Sequence, residues 1–188
     1  MNLREYIVEF YQKDFTDKTY PFEVRKRQVK KGTVILPYGK VPTKFYFLNE
    51  GIVEIKVLAS GEDEKTMLFQ FANSFFGSYV AALSKIPSVI QCTAISNCLY
   101  EEFTFDAYQK ACEHSLLVNK IGRIELEKNF LRTVQREQDF LTKSKKEMYL
   151  DLISNNPLVL EKIPLKKIAN YLGILPETLS RIRKQVIS

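Results

Sequence analysis

Near the end of the chain, Glu177, Ser180, Arg181 and Lys184 recur at i, i+3, i+4 and i+7, which on a helix gathers them on one face. These side chains are suited to reading nucleic acid. An arginine holds guanine O6 and N7 with two hydrogen bonds, a glutamate accepts from cytosine N4, and a serine hydroxyl bonds to a base edge. Glu177, Ser180 and Arg181 are therefore the candidate base-contacting residues. Lys166, Lys167, Arg183 and Lys184 are candidate phosphate contacts, which set position and orientation without specifying sequence. An ordinary helical hairpin with a solvated charged face is the competing reading, so the elements carrying these residues have to decide.

Leu165, Ile168, Ala169 and Leu172 fall at helical spacing, and Gly173 supplies a positive-φ position to end that helix. Pro176 suits the first helical position of a second helix, whose buried stripe is Leu179, Ile182 and Val186. Two helices crossing steeply need a small residue where their axes approach, and Ala169 meets that need. The pattern predicts a helix-turn-helix with its second helix in the DNA major groove. Upstream, Ser144-Lys145-Lys146-Glu147 opens a helix through Leu152. Asn155-Asn156-Pro157 closes it, and Leu158 to Ile163 forms a short connection.

Residues 2–13 carry Leu3, Tyr6, Ile7, Phe10 and Tyr11 as a short amphipathic helix. Five glycines then lie within 32–77, between β-branched and aromatic runs: Thr33–Leu36, Phe45–Leu48, Ile52–Leu58, Met67–Phe71, Ile90–Ile95 and Leu99–Phe105. Val53, Ile55 and Val57 alternate with Glu54 and Lys56, the period of a half-buried strand. Asn49-Glu50-Gly51 and Ser60-Gly61-Glu62 read as hairpin turns. Residues 20–105 are thus expected to form an antiparallel β sandwich, barrel or jelly roll. Thr104 caps a short helix, and Ser115 caps a long one to about Phe140. On the long helix Leu117, Ile121, Ile124 and Leu131 make one stripe, with Phe130, Val134 and Leu141 beside it. A helix of about 25 residues spans about 37 Å, more than one small core covers. The extra stripe suggests a twin helix in a homodimer, while packing across its own β domain is the simpler alternative. Gly122 inside this helix has no account from sequence.

The +6 net charge is unevenly placed, with nine Lys/Arg against four Asp/Glu from Leu141 onward. Basicity sits at the end expected to meet phosphate. A basic membrane-surface segment fits less well, because the terminal helices lack a broad apolar face with aromatic anchors. Arg4, Glu5 and Glu9 interrupt any signal peptide, no apolar run has membrane-spanning length, and Cys92, Cys98 and Cys112 show no paired spacing. These features suggest a cytoplasmic protein with no membrane partner. His114 is the only histidine, so no metal site, catalytic residue or cofactor is expected, and an enzyme is disfavoured.

A β domain, a long helix and a helix-turn-helix in this order resemble the Crp/Fnr family of transcription factors, which includes the cyclic-AMP receptor protein. The likeness is most specific in Ile168-Ala169-x-Tyr171-Leu172-Gly173-Ile174 followed by Glu177-Thr178-Leu179-Ser180-Arg181. Phe45 to Phe47, the Asn-Glu-Gly turn and Phe75-Phe76-Gly77 resemble β-roll landmarks of that family. The resemblance implies an α+β protein in three parts: a β-roll sensor over 1–114, a dimerisation helix over 115–141 and a helix-turn-helix over 142–188. It also implies a homodimer on near-palindromic double-stranded DNA, with RNA polymerase as a further partner.

Two departures lie in the recognition helix. Pro176 stands where the cyclic-AMP receptor branch has arginine, and Leu175 stands where a Ser or Thr N-cap is common. The larger departure is in the sensor. Cyclic-nucleotide-binding members follow the glycine matched by Gly77 with a glutamate, and place an arginine about ten residues later. Here Ser78 follows, Pro87–Cys92 contains no arginine, and none occurs between Arg27 and Arg123. A lysine elsewhere cannot reproduce the guanidinium fork that grips a cyclic phosphate. The expected effector pocket around Gly77, Ser78, Tyr79 and Gln91 is therefore not a cyclic-AMP site of the usual kind. The alternative function is a small-molecule-binding β-roll whose helix-turn-helix is vestigial.

Overall fold

The structure, a computed structural model, describes residues 1–11, 22–59 and 63–187. The expected Ser60-Gly61-Glu62 turn lies outside them, as does the end of the predicted N-terminal helix. That helix, α1 (Leu3–Phe10), opens with a capping box in which Asn2 and Glu5 satisfy each other's backbone N–H groups. Among the described residues eight strands follow: β1 (Arg25–Val29), β2 (Val34–Leu36), β3 (Lys44–Glu50), β4 (Ile52–Leu58), β5 (Glu64–Phe71), β6 (Ser74–Phe76), β7 (Ile90–Ala94) and β8 (Cys98–Thr104). They form two antiparallel four-stranded sheets, ordered β1-β8-β3-β6 and β2-β7-β4-β5. The fold is α+β, a β-roll followed by helices, as the sequence led us to expect.

The Asn49-Glu50-Gly51 expectation needs correction. It is not a hairpin turn, because β3 and β4 belong to different sheets and do not pair. The chain turns a corner there from one sheet to the other. Gly51 has φ +97°, and a Cβ on it would lie 2.5 Å from the Asn97 carbonyl oxygen and 2.6 Å from Cys98 Sγ. Only glycine fits both the backbone conformation and the space. Two strands, β1 and β6, were not legible as apolar runs. β1 (Arg-Lys-Arg-Gln-Val) is an edge strand held by its ladder to β8 rather than by buried side chains.

The helices are α2 (Tyr79–Ser84), α3 (Phe105–His114), α4 (Leu116–Thr142), α5 (Lys145–Asn155), α6 (Leu158–Lys162), α7 (Leu165–Leu172) and α8 (Pro176–Ile187). Thr104, Ser115 and Ser144 accept backbone N–H bonds as the N-caps of α3, α4 and α5. The predicted connection after Pro157 contains one helical segment, α6. The N-terminal part of α4 lies on its own roll, where Ile121 joins the α1 side chains and Phe45, Phe47 and Phe103. Beyond it α4 exposes Leu126, Phe130, Leu131 and Leu141. Gly122 now has an explanation: a Cβ there would sit 2.0 Å from the Tyr108 hydroxyl, so its absence lets α3 and α4 approach.

The C-terminal helices also rest on the roll. Ile52, Phe69 and Ile95, from the outer face of the second sheet, share one apolar cluster with Ile168, Ala169, Leu172, Leu179 and Ile182. Glu54, expected on a solvated strand face, is 1% exposed because α7 covers that face.

Candidate nucleic-acid interface and effector groove

α7 ends as its residues require. Gly173 has φ +69°, its N–H donates to the Asn170 carbonyl at 3.1 Å, and the Ile174 N–H donates to the Ala169 carbonyl at 3.0 Å. This pair of bonds is a Schellman cap, which reverses the chain within one residue and aims α8 across α7. Ile168, Ala169, Leu172 and Leu179 are fully buried at the crossing. A larger residue than Ala169 would force the helices apart.

The opposite face of α8 is open. Glu177, Ser180, Arg181 and Lys184 are all exposed, so the predicted grouping is present in space. Glu177 and Arg181 make no hydrogen bond or ion pair among the described residues, whereas the Ser180 hydroxyl donates to the Pro176 carbonyl at 3.0 Å. Lys166 is exposed on α7. Arg183 is half-buried, with its Nε enclosed and without a hydrogen-bond partner among the described residues. Leu175 precedes α8 with its side chain 69% exposed, offering no oxygen to the first turn.

Lys167 is placed differently. Its ammonium is paired with the Glu54 carboxylate, whose side chain is 2% exposed. Glu54 also accepts from the Thr66 hydroxyl at 2.8 Å. On the next turn of α7, Asn170 accepts from the Thr66 N–H at 2.5 Å and donates to the Glu64 carbonyl at 3.0 Å. The Phe69 and Tyr171 rings pack with centroids 5.6 Å apart. Sequence reasoning missed Glu54, Thr66 and Asn170 because nothing in local spacing links residues more than 100 positions apart. A carboxylate among β-branched residues was the single available hint.

A groove of about 510 Å³ lies between the roll and α4, with a lining that includes Phe45, Leu68, Phe75, Ile121, Leu126 and Phe130. Of the four residues expected around a pocket, Gly77 and Tyr79 line it, while Ser78 and Gln91 do not. Ser78 is buried at the start of α2, and the Gln91 amide donates to Thr93 Oγ1 at 3.3 Å. Among the described residues of the lining, Arg132 is the one cation and Glu125 the one carboxylate. Glu125 accepts from Tyr6 at 2.8 Å and also from Tyr11. Burial, reinforced by this carboxylate, holds both phenols above their ordinary pKa range. Burial likewise pushes the Cys92 thiol up to about 12, which leaves it unreactive. No group of three or more metal-ligating side chains occurs among the described residues, and no described helix is long and apolar enough to cross a membrane.

Comparison with known proteins agrees with this architecture. Residues 26–115 match the cyclic nucleotide-binding domain family. FixK2 from Bradyrhizobium japonicum superposes with a TM-score of 0.73 at 17% identity, over 87% of this chain and 84% of that one. A protein from Eubacterium rectale, described as a transcriptional regulator of the crp/fnr family, gives 0.67 at 20%, over 87% and 78%. A CooA mutant from Carboxydothermus hydrogenoformans gives 0.68 at 12%, over 98% and 84%. No curated protein matches the sequence significantly. Residues 26–115 thus resemble a cyclic nucleotide-binding domain, and the chain shares its fold with FixK2, the Eubacterium rectale protein and the CooA mutant.

Proposed function

We propose that this protein is a sequence-specific DNA-binding transcriptional regulator, not an enzyme, and that it acts in the cytoplasm as a homodimer on near-palindromic sites. The observation that carries the reading is the open α8 face, with Glu177, Ser180 and Arg181 exposed together on the helix that follows the Gly173 cap of α7. Arg181 reads guanine, Glu177 reads cytosine and Ser180 takes a base edge or phosphate. Lys166, Lys184 and Arg183 hold phosphates. Lys167 joins them only by leaving Glu54, so DNA and the roll compete for the same ammonium. The three parts are a sensor over 1–114, a dimerisation helix over 115–141 and a DNA-binding unit over 142–188, with RNA polymerase as the downstream partner.

The roll is not expected to respond to cyclic AMP, because Ser78 replaces the ribose-gripping glutamate and no β-roll arginine lines the groove. Selection of bound sequences from random duplex DNA, with and without added metabolites, tests the proposal. Enrichment of an inverted repeat is the expected result, and absence of any selected sequence would overturn it. A second reading, a small-molecule-binding module with a vestigial helix-turn-helix, is favoured by the size of the groove. Ligand capture without DNA selection would support that reading.

A further inference from the structure

The groove between the roll and α4 is long. Its α4 wall runs from Leu117 to Thr133 through Ile121, Leu126 and Phe130, the repeat of one helix face. At 1.5 Å per residue that wall is about 24 Å from end to end. The roll faces it with apolar side chains such as Phe45 and Leu68. Part of this lining is still open to water, with Val80 69% exposed and Phe130 67% exposed. An apolar occupant gains by covering such surface.

Charge in the lining is confined to two residues. Glu125 is engaged already: it accepts from Tyr6 and Tyr11 and pairs with Lys128 at 2.9 Å. Arg132, exposed at the Thr133 end, is not. Its guanidinium donates to Asn129 Oδ1 at 2.7 Å, a neutral amide, and it makes no ion pair among the described residues. Most of its N–H fork is therefore open to an anion, and a carboxylate accepts two parallel bonds from such a fork. A compact anion would reach Arg132 but leave most of the apolar length uncovered. We propose that the groove binds a single-chain amphipathic carboxylate, of the fatty-acid class, with its chain along α4 and its head group on Arg132. This rests on the reading of the roll as the sensor and supplies its ligand class. It does not depend on DNA binding.

The test is equilibrium dialysis of the full chain against octanoate, decanoate and dodecanoate, with 1-decanol as the uncharged match for decanoate. Affinity should rise roughly threefold for each added methylene. Decanoate should exceed 1-decanol by roughly fivefold, the worth of a charge-assisted bond at an exposed arginine. In Arg132→Gln that preference should vanish while 1-decanol still binds, and Arg132→Lys, which keeps the charge, should retain part of it. Leu126→Gln, at an exposed position of the wall, should weaken decanoate and 1-decanol alike. Absence of saturable binding, affinity that ignores chain length, a preference that survives Arg132→Gln, or binding untouched by Leu126→Gln would overturn the proposal. Displacement of decanoate by cyclic AMP at matching affinity would overturn it too, and would also sink the cyclic-AMP-independent reading. Loss of DNA selection alone would leave the ligand class standing, and failure of decanoate alone would leave the DNA reading standing.

Discussion

Arg181 on α8 and Lys166 on α7 are both exposed cations, yet they are expected to fail differently. Arg181→Ala should weaken binding to a selected duplex by about 1–3 kcal/mol and flatten the preference between sequences. Lys166→Ala should weaken every duplex alike and lower the slope of log affinity against log salt by about 1. Titrations of selected and scrambled duplexes across a salt series separate the two. Equal loss for Arg181→Ala on both duplexes would remove its assignment as a base reader. Gly122 is a residue-scale question of space. Alanine there improves helix propensity by about 1 kcal/mol, but its Cβ would meet the Tyr108 hydroxyl at 2.0 Å and Cζ at 3.0 Å. Overpacking of this kind costs about 1–3 kcal/mol. Gly122→Ala is therefore expected to lower the urea midpoint, and to do so less in a Tyr108→Phe background. A rise in midpoint in the wild-type background would show that α3 yields freely.

At the scale of elements, α8 begins without a side-chain cap. Leu175 is exposed where a hydroxyl would accept an orphan N–H, and its burial stabilises nothing that a smaller residue would forfeit. Leu175→Ser should raise stability by about 0.5–1 kcal/mol in chemical denaturation. No gain would mean that water already satisfies the first turn. The docking of α7 on the second sheet is the other element-scale feature. Lys167→Met leaves the buried Glu54 carboxylate with Thr66 but without its cation. Lys167 is itself partly exposed, so screening reduces the pair's worth, and a loss of about 1–3 kcal/mol is expected. Glu54→Gln added to Lys167→Met should recover part of that loss, since it removes the stranded charge. A cycle with no coupling would mean that α7 is held by its apolar contacts alone.

At the scale of the molecule, α4 reaches past the roll that covers its first turns. Phe130 is 67% exposed and Leu131 is 65% exposed, and in the proposed homodimer a second copy would cover them. Phe130→Glu combined with Leu131→Glu should leave the monomer folded, convert a dimer to monomer in sedimentation, and weaken palindrome binding by about 100-fold or more. A wild-type chain that sediments as a monomer at micromolar concentration would sink the dimer. How far sequence reached follows from the range of the forces involved. The Gly173 cap, the Thr104, Ser115 and Ser144 caps, and the α8 stripe all depend on residues within a few positions, so local pattern sufficed. Strand β1 was invisible because its pairing partner β8, not its own composition, makes it a strand. Asn49-Glu50-Gly51 carried the signature of a turn, but which sheet receives the next strand is settled by packing with Asn97 and Cys98. The Glu54–Lys167 pair and the Gly122–Tyr108 contact join residues on different elements. Only the tertiary structure brings them together, because burial and short-range electrostatics act on distance in space and leave no period along the chain.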